Sequence, residues 1–187
     1  MGKNFSLNSN KNRPKSDFYQ TPYSLTELLL KSESFSGNVL EPACGDGAIV
    51  KVLNDFGFKV TAYDIETNFL NETKKYDNII TNPPYSLAKE FILKAFEASK
   101  SKIAMLLPLN YLHGIERFQS IYSLKKLETV YVFTRYPLLE QTIRSDGKFK
   151  TGMMVYAWYI WNQNFSGYPT IKWLNNNDFV IKNSGKI

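Results

Sequence analysis

Apolar and polar positions along this 187-residue chain fall into short blocks with two periods. The blocks 38–42, 59–63, 77–81, 102–107, 128–134 and 153–161 read as strands, several of them short enough and apolar enough to be buried. The blocks 48–56, 87–99 and 111–122 read as helices. In the second of these, Leu87/Ala88, Phe91/Ile92 and Ala95/Phe96 recur at helical spacing, so one stripe packs on a sheet. A further helix start is expected at Thr21-Pro22 with the Ser24…Glu27 spacing, ahead of Leu28-Leu29-Leu30. Alternating strands and helices predict an α/β fold, a mostly parallel sheet with helices on both faces. No internal repeat interrupts this order.

Two of the strand-to-helix transitions carry unusual residues. Val39-Leu40-Glu41-Pro42-Ala43-Cys44-Gly45-Asp46-Gly47-Ala48-Ile49-Val50 reads as a strand, a tight glycine turn and a helix start. Glycines at 45 and 47 allow positive φ and a close approach of backbone to a ligand. The helix that follows offers free N–H groups at its start. A lone Gly-x-Gly is more often a plain turn; its position between strand and helix raises its value. The next strand, Phe58 to Tyr63, ends in Asp64, at the distance where nucleotide-binding α/β folds place a carboxylate on ribose hydroxyls. Glu66 is a second candidate. Taken alone, either acid reads as a solvated surface group.

The second transition follows Asp77-Asn78-Ile79-Ile80-Thr81 and reads Asn82-Pro83-Pro84-Tyr85. Two prolines cannot continue a strand, since neither has an N–H for the ladder. The Asn82 amide and the Pro83 carbonyl then serve as acceptors on one side, with Tyr85 as a flat face beside them. Such parts suit an exocyclic amino group on a flat ring. In isolation the tetrapeptide reads as a Pro-rich turn. Both motifs should lie at the carboxyl ends of adjacent strands, where open α/β sheets bind ligands.

Glu41-Pro42-Ala43-Cys44-Gly45-Asp46-Gly47, then Asp64, then Asn82-Pro83-Pro84-Tyr85, resembles the S-adenosylmethionine-dependent methyltransferases that act on amino groups. Within them it is most similar to the DNA adenine-N6 enzymes. Asp17-Phe18-Tyr19-Gln20-Thr21-Pro22 resembles the segment that closes over the cofactor in that family, and Thr151–Trp161 with Pro169–Trp173 looks like its small phage and prophage members. The likeness runs from about Asp17 to Trp173. It implies a Rossmann-like class I methyltransferase fold with a seven-stranded type of sheet, its third strand short or absent and its last core strand, 153–161, antiparallel. It implies S-adenosylmethionine as cofactor, S-adenosylhomocysteine as product, and catalysis by Asn82, Pro83 and Tyr85 on a flipped-out adenine. The cofactor would meet Phe18, Tyr19, Thr21, Glu41, Pro42, Ala43, Cys44, Gly45, Gly47, Asp64, Ile65, Asn68, Phe69 and Asn82. Asn68-Phe69 departs from the family, which commonly has an acidic residue before the phenylalanine; an asparagine oxygen still accepts a bond from the cofactor's adenine amine. The same grip fits an RNA base or a protein glutamine, and a non-catalytic nucleic-acid-binding relative is a further alternative.

Composition narrows this reading. One cysteine excludes a disulfide framework and suits a reducing cytoplasm, and with one histidine it cannot build a zinc site. No apolar run approaches the roughly 20 residues that span a bilayer. The hydrophobic share of 43% describes a globular chain, organised as a basic tail at 1–16 and a single domain at 17–187. Lys3, Lys11, Arg13 and Lys15 contribute +4 of the formal net charge of +6, with no acid among residues 1–15. The tail is either a polyanion contact or a solubilising segment. DNA contacts are expected from Lys11, Arg13 and Lys15, from Leu109–Arg117, and from the connection carrying Arg135, Arg144, Lys148 and Lys150, which otherwise reads as a solvated hairpin tip. His113 is read as a surface or structural residue. Segments 65–81 and 162–187 are too short for a separate target-recognition domain, so specificity falls to loops, the tail, a second protomer or a separate specificity protein.

Overall fold

A computed structural model describes residues 21–64, 69–134 and 154–176. Its helices are α1 (Tyr23–Ser32), α2 (Ala48–Asp55), α3 (Ala88–Ala98) and α4 (Ile115–Ser120). Its strands are β1 (Val39–Glu41), β2 (Val60–Ala62), β3 (Tyr76–Thr81), β4 (Ser99–Pro108), β5 (Leu127–Phe133), β6 (Tyr156–Asn162) and β7 (Thr170–Leu174). They form one seven-stranded sheet in the order β2-β1-β3-β4-β6-β5-β7. β1 to β4 pair in parallel, β6 is antiparallel to both β4 and β5, and β7 runs parallel to β5.

Period-2 alternation sorts the strands' side chains between two cores. Ile103, Met105 and Leu107 of β4 join Leu40, Ile79, Tyr159 and Trp161 beneath Phe91, Ile92 and Ala95 of α3. Ala104 and Leu106 join Val39, Ile80, Trp158 and Ile160 on the opposite face, under Leu25 and Leu29 of α1 and Ile49 and Leu53 of α2. Helices on both faces explain why the central strands read as nearly continuous apolar runs. Each fully buried large aliphatic or aromatic side chain contributes about 1.5–3 kcal/mol. The sheet also holds α1 by hydrogen bonds: Trp158 Nε1 donates to the Leu25 carbonyl at 3.0 Å, and the Tyr131 hydroxyl to the Ser32 carbonyl at 2.9 Å.

One strand was not expected and two expectations change. The third strand is absent among the described residues, as the resemblance allowed, and the unexpected β7 at the opposite edge brings the sheet to seven. Four of the five β7 residues are exposed, so it shows no core pattern in sequence and exists through its ladder with β5. Ser24…Glu27 does not cap α1, because Pro22 holds the N-cap position and Ser24 is already inside the helix, where the Leu25 N–H reaches the Pro22 carbonyl at 3.0 Å. The expected helix 111–122 is broken into a 3₁₀ turn at Leu109–Leu112, the short α4, and a second 3₁₀ turn at Tyr122–Leu124. Gly114, with φ 126°, cannot continue a right-handed helix.

The crossing into β1 is pinned by a second glycine. Gly37 has φ 85°, and a Cβ there would sit 2.3 Å from Asp77 Oδ2. That same Oδ2 accepts the Asn38 N–H at 2.9 Å, and Asn38 Oδ1 accepts the Asp77 N–H at 2.7 Å. Gly37→Ala is therefore expected to destabilise the protein by more than the about 1 kcal/mol of a positive-φ alanine alone, since it also displaces Asp77. Thermal unfolding measures this; a melting temperature equal to the parent's would remove the argument.

Candidate functional site

The carboxyl ends of β1 and β3 are neighbours, as their parallel register Val39↔Asn78 and Leu40↔Ile79 requires. Glu41 ends β1 and Thr81 ends β3, and the Thr81 hydroxyl donates to Glu41 Oε1 at 2.5 Å. The Ala43 N–H donates to the same oxygen at 3.0 Å. Glu41 is completely buried, and its other oxygen, Oε2, has no hydrogen-bond partner among the described residues. Burial pushes the carboxyl up to about 8; the bonds from Thr81 and Ala43 oppose this, and the Asp64 carboxylate adds to it. Desolvation of the thiol also pushes Cys44 upward, with the Glu41 charge adding to it.

Pro42 is buried beyond β1, with Ala43, Cys44 and Gly45 half-buried. Gly45 has φ 51° and Gly47 φ 84°, so the turn takes the left-handed conformations its glycines allow. Among the described residues a Cβ on Gly47 would meet nothing within 4 Å, so they leave open space in front of the start of α2. The end of β2 closes on this turn: the Tyr63 N–H donates to the Glu41 carbonyl and the Cys44 N–H to the Tyr63 carbonyl, both at 3.2 Å. Asp64 follows directly and is exposed.

Glu72, which pattern reading passed over, returns the chain from this loop. Its Oε2 accepts the hydroxyls of Tyr63 at 2.8 Å and Tyr76 at 3.1 Å, while Oε1 accepts the N–H groups of Thr73 and Lys74. These four donors hold its carboxyl below the usual range. The two tyrosines flanking an acid were the signal available in the sequence. Phe69 is 2% exposed and packs on Phe91 at 5.1 Å, which leaves little of its ring for a ligand.

Asn82 is half-buried, Pro83 and Pro84 are buried, and Tyr85 opens a 3₁₀ turn that leads into α3. The Leu87 N–H donates to the Pro84 carbonyl at 2.9 Å. Asn82 Nδ2 donates to Thr21 Oγ1 at 3.0 Å. The Tyr85 ring stacks on Tyr156 of β6, 5.7 Å between centroids at 29°. Sequence reading missed Tyr156 as the support of that ring because the two are brought together by the insertion of β6. Glu41, the glycine turn, Asp64, Thr21, Asn82, Pro83 and Tyr85 thus gather at the carboxyl-terminal end of the sheet's parallel strands. His113 is exposed at the neighbouring end of β4, where its carbonyl accepts Arg117 Nε at 2.7 Å.

Phe18, Tyr19, Ile65, Glu66 and Asn68 lie outside the described residues, as do Lys11, Arg13, Lys15, Arg135, Arg144, Lys148 and Lys150. Among the described residues no group of three acidic, histidine or cysteine side chains could hold a metal, and no helix is long and apolar enough to cross a membrane.

No family model matches the chain, and no curated protein matches it in sequence. Solved structures do match its fold. A candidate class I S-adenosylmethionine-dependent methyltransferase from Listeria monocytogenes aligns with TM-score 0.62 and 14% identity, over 92% of this chain and 72% of that one. The M protein of the type I restriction enzyme EcoKI aligns with TM-score 0.56 and 13% identity, over 86% of this chain and 49% of that one. A candidate RNA methyltransferase from Pyrococcus horikoshii gives 0.52 and 17%, over 81% of this chain and 91% of that one. The chain has the Rossmann-like class I methyltransferase fold: a mixed, mostly parallel seven-stranded sheet with one antiparallel strand.

Proposed function

We propose that this protein transfers the methyl group of S-adenosylmethionine to the exocyclic N6 amine of adenine in DNA, on a base drawn out of the duplex. The carrying observation is the union of the two motifs at one strand edge, where Glu41 beside the glycine turn is hydrogen-bonded to Thr81, the residue before Asn82. One half of the crevice then serves a nucleotide-like cofactor and the other a planar amine.

The residues present fit that cofactor. The buried Glu41 Oε2, without a hydrogen-bond partner among the described residues, suits an ammonium such as that of the methionine portion. The open space before Gly47 would admit a ligand against the backbone, and the exposed Asp64 would accept ribose hydroxyls. The Asn68 carbonyl would receive the cofactor's adenine amine. When bound, the cofactor supplies a sulfonium methyl group.

The adenine amine is a poor nucleophile because its lone pair is delocalised into the ring. Asn82 Oδ1 and the Pro83 carbonyl would accept its two N–H bonds, favour a pyramidal nitrogen and direct the lone pair at the methyl carbon. Transfer would form the N–C bond as the C–S bond breaks with its electron pair leaving on sulfur, and the nitrogen would then lose a proton to solvent. No strong base is required before transfer; catalysis is positioning and electrostatics. Tyr85, backed by Tyr156, would stack on the extruded base.

DNA as substrate is supported by the sequence resemblance and the formal charge of +6, and a restriction enzyme's M protein shares the fold. Transfer of a labelled methyl group onto adenine-rich duplex DNA, RNA and protein in parallel tests the proposal. Label on N6 of adenine in DNA is expected; label confined to RNA or protein would move the substrate class, and none on any would leave a binding protein.

Stacking gives a separate test. Tyr85→Phe is expected to keep substantial activity and Tyr85→Ala to lose about fivefold to 150-fold, the worth of aromatic stacking on a base. Unpaired or mismatched target adenines should partly rescue the alanine variant, because extruding them costs less. Equal damage from phenylalanine and alanine would assign the role to the hydroxyl instead.

A further inference from the structure

We propose that Thr21 is a positioning residue for Asn82: its hydroxyl holds the amide so that the carbonyl oxygen, not the NH2 group, faces the substrate amine. The inference rests on the catalytic reading of Asn82 and extends it to a residue 61 positions away in sequence. It departs from the family resemblance, which places Thr21 with the cofactor.

An asparagine amide rotates about a broad, roughly two-fold torsion and presents a donor edge or an acceptor edge. An acceptor edge grips an amine; a donor edge would oppose it. Asn82 Nδ2 donates to Thr21 Oγ1 at 3.0 Å, so the donor edge is engaged and the carbonyl forms the other edge. Thr21 is 5% exposed, which shields this bond from competing water.

The position of Thr21 is itself secured. Pro22 follows it with a fixed ring torsion and accepts the Leu25 N–H at 3.0 Å. The Leu25 carbonyl receives Trp158 Nε1 at 3.0 Å, and both Leu25 and Trp158 are buried in the core between α1 and the sheet. Thr21 is thus tied to the antiparallel strand β6, while Asn82 is tied to the end of β3. Their bond sets one rigid element against the other across the site. A residue held this way orients a reacting group more reliably than one in a free loop.

Thr21→Val, which keeps the shape and loses the hydroxyl, and Thr21→Ser, which keeps the hydroxyl, separate the possibilities. The readouts are single-turnover methyl transfer at saturating cofactor and DNA, calorimetric cofactor affinity, and the NMR signal of the Asn82 side-chain NH2 in the ligand-free protein. The valine variant is expected to transfer about tenfold more slowly or worse. Its cofactor affinity and melting temperature should stay near the parent's, while the Asn82 NH2 signal shifts and broadens. Serine should restore rate and signal, and valine should add nothing in an Asn82→Ala background. Should valine fail to fold, Thr21→Ala carries the same comparison with serine.

A parental rate in the valine variant, or an unmoved NH2 signal, overturns the inference. So does lost cofactor affinity with an intact saturated rate, which would make Thr21 a cofactor contact, or serine as impaired as valine, which would leave only packing of the methyl group. If Asn82→Ala itself transfers like the parent, the proposed function fails, whereas an inactive Asn82→Ala with a silent Thr21→Val overturns the inference alone.

Discussion

Asn82→Ala is expected to slow methyl transfer by on the order of 10² to 10³ in single-turnover rate, with cofactor affinity close to the parent's. In the proposed function the amide serves the amine half of the crevice, so its removal would withdraw an acceptor that acts on the nucleophile. Asp64→Ala should behave in the opposite way. It lies beyond β2, next to the glycine turn rather than the tetrapeptide, and loses ribose hydrogen bonds worth about 1–3 kcal/mol, or about fivefold to 150-fold in cofactor affinity. At saturating cofactor its rate should recover. Calorimetric titration beside single-turnover assays separates the two, and equal loss of cofactor binding in both variants would contradict the division of the site.

Glu41→Gln is expected to alter both the pH dependence of stability and cofactor affinity. The folded protein holds this carboxyl neutral up to about pH 8, whereas the unfolded chain ionises it near 4.5. The proton is bound more tightly in the fold, so the stability it contributes is complete below about pH 4.5 and is lost as pH rises to about 8. The gap corresponds to on the order of 5 kcal/mol. Glutamine mimics the neutral acid, so its melting temperature should fall less than the parent's between pH 5 and 8.5. An ammonium placed on Glu41 favours the ionised form, so cofactor binding by the parent below pH 8 should release a proton. Titrations in buffers of different ionisation enthalpy detect that release. The glutamine variant should lack it and bind about 10-fold to 150-fold more weakly. Parallel melting profiles for the two proteins would mean that Glu41 does not carry the pH dependence.

The Asn82 and Glu41 variants test what lies on either side of Thr81. Its hydroxyl reaches Glu41, and its backbone leads into Asn82, so this one residue joins the two halves beyond the β1–β3 ladder. A purely local motif comparison finds both ends of that link and not the link itself.

The chain's local chemistry determined much of this protein in advance. β4 is legible because its centre, Ile103 to Leu107, is completely buried on both faces of a covered sheet and must be apolar throughout. Gly45 and Gly47 are legible because positive φ is a property of the residue at that position. Two prolines end β3 by lacking N–H groups, wherever that strand lies. Where neighbours in sequence did not settle the conformation, the reading went astray: Gly114 broke an amphipathic pattern, and exposed β7 had no pattern to show.

Only the tertiary structure decided which of these parts meet. The Glu41–Thr81 bond spans 40 positions and the Asn82–Thr21 bond 61, and each depends on which strands are adjacent and on how α1 is tied to β6. The support of Tyr85 by Tyr156 likewise follows from the insertion of β6 between β4 and β5. Glu41 shows the difference most plainly. Its identity and strand end are sequence facts, but a carboxyl near pH 8 arises from complete burial, which a chain acquires only when its distant segments close around it.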